Sequence, residues 1–140
     1  MSEITLIPAV NISSSGLDAE TRRMEVIANN VANAETTHGI DGKVFKRRQV
    51  IFAEKLADAM GDGSEAGPGG VDVTDIVEDQ REAKKAFRPG HPDADAEGFV
   101  SMPNISPVDE MVDMMSASRA YEANLSAIRM AKDMASKALE

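Results

Sequence analysis

The 140-residue chain has no cysteine and no tryptophan, and only one tyrosine and four phenylalanines. Without cysteine, disulfides, thiolate metal ligands and a cysteine nucleophile are excluded. With so few aromatics, hydrophobicity rests on Ala, Val, Ile, Leu and nine Met, and a large conventional core is not assured at this length. No apolar run approaches the roughly 20 residues that a membrane-spanning helix needs. The opening Met1-Ser2-Glu3-Ile4-Thr5-Leu6-Ile7-Pro8 has no basic stretch, so a cleaved secretory signal is not expected. Positive charge is scarce as well. A net charge of −9 argues against nucleic acid, whose binding requires a basic surface that neutralises phosphates. Catalysis has little to draw on, because His38 and His91 are the only histidines and neither has zinc-motif spacing. No cofactor and no enzymatic activity are expected.

What the chain does possess is concentrated at its two ends. Residues 1–34 and 107–140 each carry a net charge of only −2, whereas the middle carries −5. Nearly neutral ends can pack side by side, and a charged middle suits water or a polar partner. In the first segment, from about Val10 to Ala34, Val10, Leu17, Met24 and Val31 recur every seven residues, with Ile27 near the complementary half of the stripe. Asn29, Asn30 and Asn33 follow on one face, with Ala28 and Ala32 keeping it slim. Two readings of that cluster stand side by side. The carboxamides fix register against a neighbouring helix or subunit, or they mark a helix C-terminus.

The last segment has a clear helix start. Ser106 is a good N-cap, Pro107 suits the first helical position, and Asp109 and Glu110 put negative charge where the helix dipole favours it. No Pro or Gly interrupts it up to Glu140, which implies a helix on the order of 50 Å long. Its expected seam is Met111, Met114, Ser118, Tyr121, Leu125, Ile128, Lys132, Ala135 and Leu139, alternating three and four apart. The small patch Ser116-Ala117-Ser118-Arg119-Ala120 suits close approach of another helix. Five methionines on this helix allow a promiscuous partner groove but are more often core.

Between the helices, Lys43–Leu56 reads as a strand or hairpin, Gly61–Gly70 as a flexible loop, and Val71–Val77, Ala86-Phe87 and Phe99–Met102 as short strands. Three adjacent bases, Lys46-Arg47-Arg48, would serve as an anion site or, more commonly in an acidic chain, as a solvated edge or salt-bridge partners. Asp93, Asp95 and Glu97, with Gly98, copy the opening of a calcium loop, but Asn104 stands where its bidentate carboxylate belongs, and Pro89, Pro92 and Pro103 disfavour flanking helices. A structural turn is the commoner use of such a pattern.

Ile27-Ala28-Asn29-Asn30-Val31-Ala32-Asn33-Ala34 resembles the N-terminal signature of bacterial flagellar rod and hook proteins. Glu110-Met111-Val112-Asp113-Met114-Met115-Ser116-Ala117-Ser118-Arg119-Ala120-Tyr121-Glu122-Ala123-Asn124 resembles their C-terminal signature, and Arg88–Val100 is similar to proximal-rod members of that family. Phe99 and Glu35 depart mildly from the pattern. The resemblance implies a mainly α fold, with long N- and C-terminal helices packed as an antiparallel coiled-coil-like pair and a small β-containing insert. Residues 1–37 and 106–140 would form an inner rod domain around an insert at 38–105. It further implies a structural subunit of a hollow, helically assembled rod that transmits torque and houses the export channel. Its partners would be itself and other rod proteins, MS-ring and export-gate-adjacent components, and the flagellar type III export apparatus, with no nucleic acid and no membrane span. It would reside in the periplasmic rod, exported without a cleaved signal. The expected subunit-interface residues are Leu17, Met24, Ile27, Asn29, Asn30, Val31 and Asn33, with Met111, Met114, Tyr121, Asn124, Leu125 and Ile128. The His91, Asp93, Asp95 and Glu97 turn is a candidate contact between subunits. A soluble helical adaptor and a calcium-responsive module are the alternatives.

Overall fold

The computed structural model describes residues 3–54 and 69–138. Helix α1 spans Glu3–Ala32, and helix α2 spans Pro107–Ala138. Four strands lie between them: β1 (Arg48–Glu54), β2 (Val71–Glu78), β3 (Lys84–Phe87) and β4 (Phe99–Met102). The Gly61–Gly70 loop falls mostly outside the described residues, as does Leu139 of the expected seam.

Helix α1 begins seven residues earlier than the sequence pattern suggests, with Pro8 inside it. Pro8 is the sixth residue of α1, past the donors that lack partners at a helix start, so it removes the backbone bond that would run to the Ile4 carbonyl and weakens this end of the helix. Helix α2 starts where its capping residues predict. The Asp109 N–H donates to Ser106 Oγ at 3.4 Å, and the Glu110 N–H donates to the Ser106 carbonyl at 3.0 Å.

The two helices pack along each other through small and polar side chains. Glu110, Ala117 and Ala131 are the buried positions of α2, with Asn124 half-buried in the same phase. The expected seam therefore turns by about one residue. Met114, Tyr121, Ile128 and Ala135 remain half-buried, but Met111 stands 57% exposed and Lys132 is exposed. The physical reason is visible at Gly16, where a Cβ would approach Asn124 Nδ2 to 2.7 Å. Helices this close accommodate Gly, Ala and Asn across the contact, and larger apolar groups move to its flanks. Gly16→Val should therefore force the pair apart and lower the urea midpoint, whereas Asn124→Ala should soften that loss by making room.

The strands form two separate two-stranded antiparallel sheets. β1 pairs with β2, Arg48 opposite Glu78 and Glu54 opposite Val71, with a register shift between Ile51 and Phe52. β3 pairs with β4, Lys84 opposite Met102 and Phe87 opposite Phe99. The expected strand at Lys43–Leu56 is thus confined to its second half. Val44 and Phe45 instead belong to a loop in which the Gly39 N–H donates to the Lys43 carbonyl at 2.9 Å.

The β1–β2 ribbon is fastened along α1 at both ends. At the β2 end, Ser15 Oγ donates to the Ile12 carbonyl at 2.7 Å and accepts the Val71 N–H at 3.0 Å. Gly70, at φ +92°, brings the backbone against Ser15, where a Cβ would collide with the serine hydroxyl. Gly70→Val combines that collision with a left-handed backbone that valine resists. It should cost about 1–3 kcal/mol, measurable as a lower urea midpoint at unchanged slope. Beyond β2, Asp79 is held well below the usual carboxylate range, at about 2, first by the side-chain hydrogen bond from Arg81 and then by the Arg81 backbone N–H. A depressed carboxylate stabilises above its unfolded pKa, near 4, and that contribution is lost as pH falls toward 2.

A candidate assembly face anchored by a buried polar node

Where the C-terminal half of α1, the start of β1 and the first turn of α2 converge, four polar side chains form one connected node. Asn30 is fully buried at its centre. Its Nδ2 donates to the Arg48 carbonyl at 2.8 Å and to Glu110 Oε2 at 2.9 Å, and its Oδ1 accepts the Arg48 N–H at 2.9 Å. A single carboxamide thereby caps the strand backbone in both directions and reaches the opposite helix. Glu110 is equally buried, and its second oxygen accepts the Arg47 Nε donor. Arg47 also reaches Asp113 Oδ2 at 3.3 Å. Buried carboxylates survive when paired and hydrogen-bonded, and both Glu110 oxygens have a partner.

The basic cluster resolves into distinct uses. Arg47 enters the node, and Arg48 pairs with Glu78 at 3.5 Å while lying 5.6 Å from the Phe45 ring centroid. Lys46 is exposed. The salt-bridge reading therefore describes two of the three bases.

The asparagines divide in the same way. Asn30 fixes register against another helix, and that helix belongs to the same chain. Asn33 ends α1: its Nδ2 donates to the Asn29 carbonyl at 2.9 Å, and its Oδ1 accepts from Thr36 Oγ1 at 3.2 Å. Asn29 is exposed. Of the other expected interface residues, Ile27 is buried, while Leu17, Met24, Val31, Met114, Tyr121, Asn124, Leu125 and Ile128 are half-buried. Arg47 is legible from the sequence only as one of three adjacent bases with a salt-bridge reading, and neither Glu110 nor Asp113 is legible there as its partner. Glu110 read as a first-turn acid suited to the helix dipole, and only its phase with Ala117, Asn124 and Ala131 could have marked it as inward-facing.

The 88–99 turn is built around Asp95. Its Oδ1 accepts the Glu97 and Phe99 N–H groups at 3.0 and 2.9 Å, and its own N–H donates to the Phe99 carbonyl at 2.8 Å. Gly98, buried at φ +83°, closes the turn beneath Phe87 and Pro89. Phe87 and Phe99 meet edge to face, 5.3 Å apart. Asp93 instead ties the turn to the loop that follows α1 by accepting from Thr37 Oγ1 at 2.7 Å. His91 Nδ1 accepts the Asp93 N–H at 3.1 Å, and Glu97 is exposed. These bonds direct the aspartates toward backbone and hydroxyl donors. Among the described residues, no three carboxylate or imidazole groups are placed to hold a metal ion.

Outside the node, large apolar side chains remain uncovered. Val108, Met111, Val112 and Met115 are exposed near the start of α2, and Met130 and Met134 near its end. Such a surface suits assembly more than chemistry. Among the described residues, no helix is long and apolar enough to cross a membrane.

Comparison with known proteins agrees with this arrangement. Residues 11–39 match the family described as flagella basal body rod protein, and residues 96–140 match the C-terminal region described for flagellar basal body rod FlgEFG proteins. The flagellar basal-body rod protein FlgC of Escherichia coli O157:H7 is 40% identical over 97% of both chains. Its counterpart in Salmonella typhimurium is 39% identical over 97% of both, and that of Bacillus subtilis 37% identical over 98% of both. The two matched regions carry α1 and α2, and the node joins them.

Proposed function

This chain belongs to the family of FlgC flagellar basal-body rod proteins and is a structural rod subunit, and from that premise we propose that it builds the proximal part of the rod. Residues 1–37 and 106–140 then form an inner domain, and 38–105 form an insert on its side. The contacts of Asn30 with Glu110 and of Gly16 with Asn124 support an antiparallel helix pair, since positions that fall along α1 meet positions that rise along α2. Helical stacking of such subunits through contacts that do not close into a ring generates a hollow shaft. That shaft transmits torque, and export substrates pass along its centre.

The observation that carries this reading is the uncovered apolar surface of α2 on a chain whose buried core is otherwise small. The faces available to neighbours include Met111 and Asn29, with the half-buried rims at Leu17, Met24, Val31, Tyr121, Leu125 and Ile128. Ile27 and Asn30 are occupied inside the subunit. The turn from His91 to Glu97 presents Glu97 outward as a further contact. The MS ring and the components beside the export gate are the expected neighbours at the base. The chain reaches the periplasm through the flagellar type III apparatus.

Expression of a tagged copy in a strain lacking its own, followed by isolation of basal bodies, tests the assignment. The tagged chain should co-purify with the rod and restore swimming. Recovery only as a soluble cytoplasmic complex would refute it.

A further inference from the structure

Three of the five methionines of α2, Met111, Met114 and Met115, crowd its N-terminal end. Met111 precedes Met114 by three positions and Met115 by four, and both spacings make neighbours on a helix surface. Met111 and Met115 are 57% and 55% exposed, and Met114 is half-buried at the flank of the helix contact. Each side chain turns about three bonds and ends in a polarizable sulfur. Three thioethers can therefore converge on one point above the helix without any movement of its backbone. Met130 and Met134 also stand four apart, but no third thioether lies beside them on α2.

What such a cluster selects follows from the softness of its donor atoms. Uncharged, polarizable thioether sulfur suits copper(I), whereas zinc, calcium and magnesium take thiolate, imidazole or oxygen ligands. With no cysteine in the chain, no thiolate competes for a soft ion. Among the described residues, no three carboxylate or imidazole groups are placed for a harder one. His38 and His91 both lie against Asp93. The nearest cation on α2, Arg119, is exposed about one turn beyond Met115, where it can turn into water.

We propose that Met111, Met114 and Met115 form an all-thioether site for a soft monovalent cation, copper(I), on the free chain. Two donors stand in solvent and the third at the edge of the helix contact, so the ion is reached from water and held against α2. Thiolate, imidazole and carboxylate ligands must be deprotonated before they bind a metal, which makes their sites pH-dependent. A thioether has no proton to lose, and this site works across the range in which histidine titrates.

Silver(I) is the probe, because it shares the closed d shell of copper(I) and keeps its oxidation state. The purified full-length chain, isotopically labelled at its methionine methyl groups, is titrated with silver nitrate in chloride-free buffer and followed by NMR. One silver ion per chain should shift the methyl signals of Met111, Met114 and Met115 together and leave those of Met24 and Met102 in place. Met111→Leu and Met115→Leu nearly conserve volume at exposed positions, so the fold is spared. Each should weaken binding at least about tenfold, the loss that removing even an outer-shell partner brings. Affinity should hold as pH falls from about 8 to about 5, where an imidazole site would release its ion. Equal shifts at Met130 and Met134 would overturn the site by showing that any exposed methionine pair suffices. Undiminished affinity in Met111→Leu would overturn it too, as would loss of binding in His38→Gln or His91→Gln, which would move the ion to the imidazoles. Zinc producing the same methyl shifts would overturn the selectivity for a soft ion, and the absence of any saturable shift would overturn the proposal outright.

Discussion

Arg47→Met should destabilise the subunit by about 3–5 kcal/mol, because it leaves the buried Glu110 carboxylate without its cation. Total stabilities of single domains are about 5–15 kcal/mol, so this single change would remove a large share. The methionine fills most of the arginine's volume, which makes the loss electrostatic and not a cavity effect. The decisive comparison is the double variant Arg47→Met with Glu110→Leu. Replacing both charges by apolar groups removes the uncompensated carboxylate, and buried pairs exchanged in this way are often neutral. Asn30 would keep both of its bonds to the Arg48 backbone, so the strand remains anchored. Urea denaturation should show the double variant recovering most of what the single variant loses. A double variant whose loss equals the sum of the losses of Arg47→Met and Glu110→Leu measured singly would mean that the charges act independently.

Asn30→Leu should also cost about 1–3 kcal/mol. It strips the donor from the buried Glu110 Oε2, which by itself costs that much, and it also frees the part-buried Arg48 N–H and carbonyl. In cells the expected sign is impaired swimming and rod assembly that exceeds any loss of expression; wild-type swimming would show that the carboxamide is dispensable. Asn30→Asp separates shape from charge. The carboxylate keeps the bond from the Arg48 N–H, but it loses both donations and faces Glu110 as a like charge. Proximity of a second carboxylate raises the pKa of the introduced acid above its unfolded value. The sign follows directly: the penalty is largest at neutral pH, where the unfolded chain is ionised without cost, and it diminishes as pH falls toward the ordinary aspartate range. Stability of Asn30→Asp relative to the parent should therefore improve on mild acidification, whereas that of Asn30→Leu should not.

The difference between these positions and the rest of the fold explains what the sequence could and could not show. Both long helices were legible, because caps and uninterrupted apolar periodicity are local signals; Ser106, Pro107 and Asp109 alone place the start of α2. The short strands were legible from β-branched and aromatic residues around Val50, Val73 and Phe99. The phase of the helix contact was not. A seven-residue pattern gives preference to large apolar groups, but these helices approach closely enough at Gly16 that small and polar residues take the inner positions. The node was illegible for a different reason. Arg47 and Glu110 lie 63 residues apart, and each has an ordinary surface explanation where it stands. Asn30 alone carried a hint, since a carboxamide on a helical seam must find a partner. Which partner depends on the fold that brings β1 alongside.

The node also has a mechanical meaning. Apolar contacts hold two bodies together but resist sliding poorly, because one methyl neighbour substitutes for another. Hydrogen bonds from a planar amide and a guanidinium are directional, and they weaken steeply when their angles change. Asn30 and Arg47 fasten the insert to both helices at one level of the subunit, through bonds that point along different lines. Twisting the insert about the helix pair would bend several of them at once, so the joint is stiff in torsion at a place where an equally buried cluster of leucines would act as a bearing.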